Sequence, residues 1–238
     1  MAGEGSWHAG VLMITLGAPR AATMGPVPGR ERGIEITSEA DLRDVIGHPL
    51  PHTRDKARLV LDEHDRRWLA ASTLCMVATS AADGTCDVSP KGDPAGFVHI
   101  LDDVTVAIPE RPGNRRADGF VNVLANPQVG LLHLVAGRGD TLRINGRARL
   151  VRDAAYFDAI TVQGHRPLLA LEVTVQQVFF HCAKAFLRSK LWEPERWAPD
   201  ALPSRAEIAG RLERPEDSAA DLAQYYGPSY AEGLYRRP

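Results

Sequence analysis

Three guanidiniums and one amide crowd the stretch Arg111-Pro-Gly-Asn-Arg-Arg116, as Arg111, Asn114, Arg115 and Arg116. An apolar strand pattern, Val104 to Ile108, precedes them, and a short helical pattern, Ala117 to Ala125, follows at once. Arginines grip phosphate oxygens bidentately, and a helix N-terminus offers unpaired N–H groups with a partial positive charge. The loop therefore suits an anion, although by itself it reads equally well as a solvated basic turn.

Two further clusters carry candidate chemistry. Ser89-Pro-Lys91-Gly-Asp93 is expected where a strand ends and the chain bends. Lys91 offers a point charge and Ser89 a hydroxyl, while Pro90 and Gly92 shape a backbone that a planar ligand can approach; an ordinary connecting loop is the competing reading. In His181–Trp192, Lys184 and Arg188 are four residues apart on one helical face that Trp192 extends. That stripe would line a pocket or simply snorkel at the surface.

Other chemistries find little support. The residues suggest no Ser-His-Asp set or paired carboxylates, so no catalytic acid, base or nucleophile is named. Three cysteines, Cys75, Cys86 and Cys182, make an odd count without C-x-x-C spacing. That disfavours a disulfide framework and a structural zinc site, so no metal is expected, and it fits a reducing cytoplasm. His181-Cys182 lacks a second ligand pair and is read as strand-end packing. A net charge of −2 argues against a general nucleic-acid binder. The apolar run Val11–Leu16 is too short to span a bilayer, and no cationic segment precedes it. A cytoplasmic protein with no membrane partner is expected, and the Arg-Gly-Asp at 138–140 is hairpin chemistry.

The elements that must position these clusters follow from hydrophobic period and turn residues. Ser38 and Asp41 resemble a capping box for a short helix ending at Gly47, and Arg54–Ser72 reads as one longer amphipathic helix. After Ser72 the period changes to that of strands: Leu74–Ser80, Cys86–Ser89, Gly96–Leu101, Val104–Ile108, Val129–Val135, Thr141–Val151 and Leu168–Phe180. Helices are expected near Ala154–Ile160 and over Ala183–Leu191, before a Pro- and charge-rich tail. About six antiparallel strands at hairpin spacing, with helices between them, suggest a closed or split barrel of mainly β (α+β) class. No G-x-G-x-x-G follows a strand, which disfavours a doubly wound dinucleotide fold. The organisation expected is a loosely ordered extension over 1–33, a barrel domain over 34–199 and a C-terminal tail over 200–238.

The order S-P-K-G-D, I-P-E-R-P-G-N-R-R-A-D, N-P-Q-V-G-L-L, R-I-N-G-R-A and H-C-A-K-A-F-L-R-S-K-L-W resembles the pyridoxamine 5′-phosphate oxidase-like family. The D-E-H-D-R-R-W-L-A-A-S segment, Asp62 to Ser72, fits the helix leading into the barrel there. The resemblance covers roughly residues 34–199. It implies a six-stranded split barrel with flanking helices, a homodimer holding FMN at its interface, and an FMN-dependent oxidoreductase acting on a small molecule. By the same resemblance, Arg111, Asn114, Arg115 and Arg116 would lie at the ribityl phosphate, with Ser89 and Lys91 completing the cradle. Backbone near Ile108 and the 89–92 bend would face the ring, while Arg188 and Trp192 would approach it, from their own or the partner subunit. The C-terminal Arg-Pro segment of the vitamin B6 oxidases has no counterpart in the tail after Trp197, which argues against pyridoxamine phosphate as substrate. A non-catalytic flavin-, haem- or deazaflavin-binding or sensing protein on the same fold is the alternative.

Overall fold

Asp62 starts the main domain's leading helix later than the hydrophobic period alone implies. Its carboxylate accepts from the His64 and Asp65 N–H groups, and Asp65 reciprocates on the Asp62 N–H. In the computed structural model, which describes residues 33–235, the single helix expected over Arg54–Ser72 is therefore two pieces, α2 (Pro51–Arg54) and α3 (Glu63–Ala71). Between them Arg58 bridges to Val178, the backbone groups exchanging hydrogen bonds at 3.0 and 2.8 Å. The Arg58 guanidinium forks onto buried Asp65 at 2.6 and 2.8 Å. These tertiary partners outweigh the helical propensity of residues 55–61.

The chain divides into two units, 1–49 and 50–238. The extension expected over 1–33 lies outside the described residues except for Gly33. In the first unit, α1 (Glu39–Ile46) is capped by Ser38, which accepts from the Asp41 N–H, and ends at Gly47 with φ of 76°.

The second unit is built on seven antiparallel strands: β1 (Leu74–Ser80), β2 (Cys86–Gly92), β3 (His99–Ile100), β4 (Thr105–Glu110), β5 (Gln128–Leu134), β6 (Thr141–Val151) and β7 (Leu169–His181). Their order in the sheet is β2-β1-β5-β6-β7-β4-β3, every neighbouring pair being antiparallel. The sheet has seven strands where about six were expected for the barrel, and the stretch expected over Gly96–Leu101 shrinks to the two-residue β3, paired with β4. No ladder joins β2 to β4 among the described residues, yet Lys91 on β2 and Glu110 on β4 meet at 2.6 Å. The sheet therefore curls until its first and sixth members touch through side chains, which makes it a split barrel.

The core fills the interior. Cys75, Val77 and Thr79 on β1 face Val129, Leu131 and His133 on β5, in direct cross-strand register. On β7 the buried set switches from Leu171, Val173 and Val175 to Val178, because the pairing slips between Asn145 and Gly146 and leaves one extra residue on β7. Gly146 is required at that bulge, since a Cβ there would overlap the Thr174 carbonyl. Strand β4 is buried on both faces. Val106 and Ile108 enter the main core, while Ala107 packs under Phe157 and Ile160 of a 3₁₀ turn, Ala155–Ile160. That double burial accounts for its unbroken apolar run.

Four helices complete the unit: α4 (Asp118–Ala125), α5 (Lys184–Ser189), α6 (Arg205–Leu212) and α7 (Ala219–Tyr225). The helix expected over Ala183–Leu191 stops early because Lys190 turns left-handed, with φ of 54°. The tail is not featureless. Ser204 with Glu207 forms a capping box for α6, and Ser218 caps α7 through the Asp221 N–H. No helix among the described residues is long and apolar enough to cross a membrane.

Candidate functional site

Edge strand β2 alternates strictly, with Asp87, Ser89 and Lys91 half-buried and Cys86, Val88, Pro90 and Gly92 exposed. Ser89, Pro90 and Lys91 thus lie within a strand and not on the expected bend. The pairing of Pro90 opposite Met76 is tolerated because β2 has a neighbour on one side only within the sheet. One face of β2 looks into a cleft of about 500 Å³, closed on the other side by the end of β4, loop 111–117 and the start of α4. Val77, Val123, Leu171 and Phe120 form an apolar floor.

The mouth is cationic and locally strained. Arg115 and Ala117 both adopt left-handed backbone, at φ of 61° and 56°. For residues with a Cβ this conformation costs on the order of 1 kcal/mol each, and such strain gathers at binding sites. The Asn114 carboxamide oxygen accepts from the Arg116 N–H at 3.0 Å and sets the turn. Ala117 supplies no side-chain cap to α4, so the first N–H groups of that helix face the loop uncapped by its N-cap residue. Gly119 allows the helix to close on the sheet: a Cβ there would meet the Asp87 carboxylate at 3.0 Å and Thr79 Oγ1 at 3.4 Å.

Each basic side chain of the cleft has its own geometry. Lys91 sits between Glu110 Oε2 at 2.6 Å and the Phe120 ring, 4.6 Å from its centroid. Arg116 pairs with Asp118, and this contact raises its pKa above the ordinary arginine value. Arg111 is engaged by protein through all three nitrogens: Nε donates to Asp93 at 2.6 Å, and the terminal nitrogens donate to the Ile160 and His165 carbonyls at 2.7 and 3.1 Å. Arg115 also lines the cleft.

Ser89, Lys91, Arg111, Asn114, Arg115 and Arg116, singled out from two separate stretches, therefore meet at one cleft. Ile108 does not line it, since its side chain is in the core beside Leu171, whereas the next residues, Pro109 and Glu110, do line it. Arg188 and Trp192 are not brought there by their own chain. Arg188 is exposed on α5, and Trp192 stacks on Phe186 while donating to the Arg138 carbonyl at 2.8 Å. Glu110, Asp93 and Phe120 escaped sequence reasoning. Glu110 had one available signal, its place at the end of the strand and one residue before Arg111.

Comparison with the curated proteins gives no match. Among solved structures, HupZ of Group A Streptococcus is 20% identical, with a TM-score of 0.41, over 50% of this chain and 93% of its own. A candidate pyridoxamine 5′-phosphate oxidase from Lactobacillus delbrueckii is 20% identical, with a TM-score of 0.42, over 52% and 98%. An FAD-binding protein from Mesorhizobium loti is 17% identical, with a TM-score of 0.34, over 52% and 96%. The family model described as pyridoxamine 5′-phosphate oxidase matches residues 61–182, from the approach to α3 through the end of β7. That match spans just over half of the sequence and takes in every cleft residue, so the chain belongs to the pyridoxamine 5′-phosphate oxidase family.

Proposed function

We propose that the cleft binds FMN and that the protein is an FMN-dependent oxidoreductase of a small-molecule substrate, working as a homodimer with the cofactor near the subunit interface. The observation that carries this reading is the pairing, in one cleft of about 500 Å³, of an apolar floor with an arginine loop at a helix N-terminus. A flavin has the same two-part character, a planar ring and a phosphate with nearly two negative charges. In this assignment Arg115, Arg116 and the first N–H groups of α4 hold the phosphate, with Ser89 and Asn114 as neutral partners. Arg111, tied to protein oxygens, anchors the loop that presents them. Lys91 balances Glu110 and keeps a cation against the floor, while backbone near Ile108 and the 89–92 strand flanks the ring.

Bound FMN would supply hydride or electron transfer, and the protein's part is to hold it, orient it and exclude water. Exposed Val88 on β2 at the cleft, with exposed Val121 and Leu124 on α4, offers apolar side chains to a second copy. Arg188 and Trp192 would reach a flavin only across that interface.

Purified protein should be yellow, release FMN on denaturation and scatter light as a dimer. A colourless protein that takes up no added FMN refutes the assignment. Photoreduction followed by reoxidation with candidate acceptors separates turnover from storage or sensing, because only an enzyme shows a substrate-accelerated step.

A further inference from the structure

The C-terminal segment, outside the family match that ends at residue 182, returns to Asp93 and Arg111 at the base of the cleft loop. Tyr235 Oη donates to Asp93 Oδ1 at 2.6 Å. The other carboxylate oxygen of Asp93 accepts from Arg111 Nε, also at 2.6 Å. The Tyr235 ring lies 5.7 Å from the Arg111 guanidinium and stacks near His165, centroids 6.2 Å apart. The Asp93 side chain is 2% exposed and that of Arg111 11%, so this is a nearly dry junction in which each hydrogen bond matters. Arg111 is the first residue of the loop that carries Asn114, Arg115 and Arg116. The Tyr235 hydroxyl thus joins the Ile160 and His165 carbonyls in the hydrogen-bonded shell around Arg111 and Asp93 at the root of that loop.

We infer that Tyr235 is a positioning residue for the cleft: through Asp93 it sets Arg111 and thereby the strained 112–117 loop, so that the C-terminal segment governs how tightly the cofactor anion is held. The inference rests on the FMN assignment for its ligand but not for its mechanics. Without the Tyr235 hydroxyl, Asp93 keeps one buried oxygen unsatisfied and Arg111 loses the alignment of its partner. With the ring also gone, the guanidinium loses its stacking surface.

The test compares full-length wild type, Tyr235→Phe, Tyr235→Ala and Tyr230→Phe, first without cofactor by amide hydrogen exchange and then by FMN titration. Tyr230 lies in the same segment and contacts Tyr225 and Tyr226 through its ring, so its phenylalanine variant should behave as wild type. Tyr235→Phe should speed exchange at the 113–117 amides and raise the FMN dissociation constant, each by about three- to tenfold, the value of one hydrogen bond. Tyr235→Ala should do more, and amides of β1, β5 and β6 should stay protected in both. Unchanged loop exchange in Tyr235→Ala, or equal acceleration across the sheet, overturns the inference. If wild type takes up no FMN, the cofactor assignment fails while the exchange comparison still decides the coupling.

Discussion

His133 offers a sharp test of the barrel's interior, and the perturbation is His133→Met. The imidazole is fully buried on β5, its Nε2 lies 3.8 Å from Cys75 Sγ, and its Nδ1 has no hydrogen-bond partner. Burial pushes its pKa down to about 3, from an ordinary 6.5. The folded state therefore holds the neutral ring, while the unfolded chain takes up a proton below pH 6.5. Stability is complete above that value and is lost as pH falls from 6.5 toward about 3. Between pH 8 and pH 5 the loss is RT ln(1 + 10^1.5), about 2 kcal/mol. Methionine is of similar bulk, adaptable and untitratable, and the Trp68 indole bonds the His133 backbone carbonyl, not its ring. Urea unfolding of the apoprotein, followed by circular dichroism at pH 8 and pH 5, measures the effect. The methionine variant should be at least as stable as wild type at pH 8 and should lose about 2 kcal/mol less on going to pH 5. Equal losses in the two proteins would refute the reasoning. The pKa of His181 is also lowered, chiefly by burial, but it is present in both chains and cancels.

Three other outcomes follow from contacts already described. Replacing Arg115 and Arg116 together with alanine should weaken FMN binding by about 100-fold and lower the melting temperature of loaded but not of apo protein; a double variant that purifies fully loaded sinks the phosphate assignment. Gly146→Ala should cost about 3 kcal/mol or more, because the new Cβ would collide with the Thr174 carbonyl at the bulge, and an unchanged urea midpoint would count against the bulge geometry. Asp65→Ala, which strips Arg58 of its fork partner and α3 of its capping reciprocity, should cost about 3 kcal/mol in the same assay, with a change under about 1 kcal/mol contradicting it.

The strands were legible because half-buried strands alternate and hairpin turns use few residue types. β1, β5, β6 and β7 fall within a residue or two of the positions their patterns imply. The anion loop was legible because its chemistry is local, with arginines, asparagine and a helix start contiguous in sequence. What was hidden is pairing at a distance. Arg111 meets Asp93 across 18 residues, Ile160 across 49 and Tyr235 at the far end of the chain, and no periodicity announces such partners. The Arg54–Ser72 pattern misled for the same reason, since the backbone groups of Arg58 are claimed by Val178. The tail helices were readable after all, in Ser204 with Glu207 and Ser218 with Asp221, but proline and charge content masked those caps.

The missing ladder between β2 and β4 gives the barrel a direction of compliance. Everywhere else around the wall, separating two strands means breaking a row of backbone hydrogen bonds, whereas along this line, among the described residues, side-chain contacts such as Lys91 with Glu110 resist instead. The wall therefore yields most easily along this seam, with the rest of the sheet acting as a stiff spring. Because charges clasp the seam, its stiffness answers to ionic strength in a way that the ladders do not.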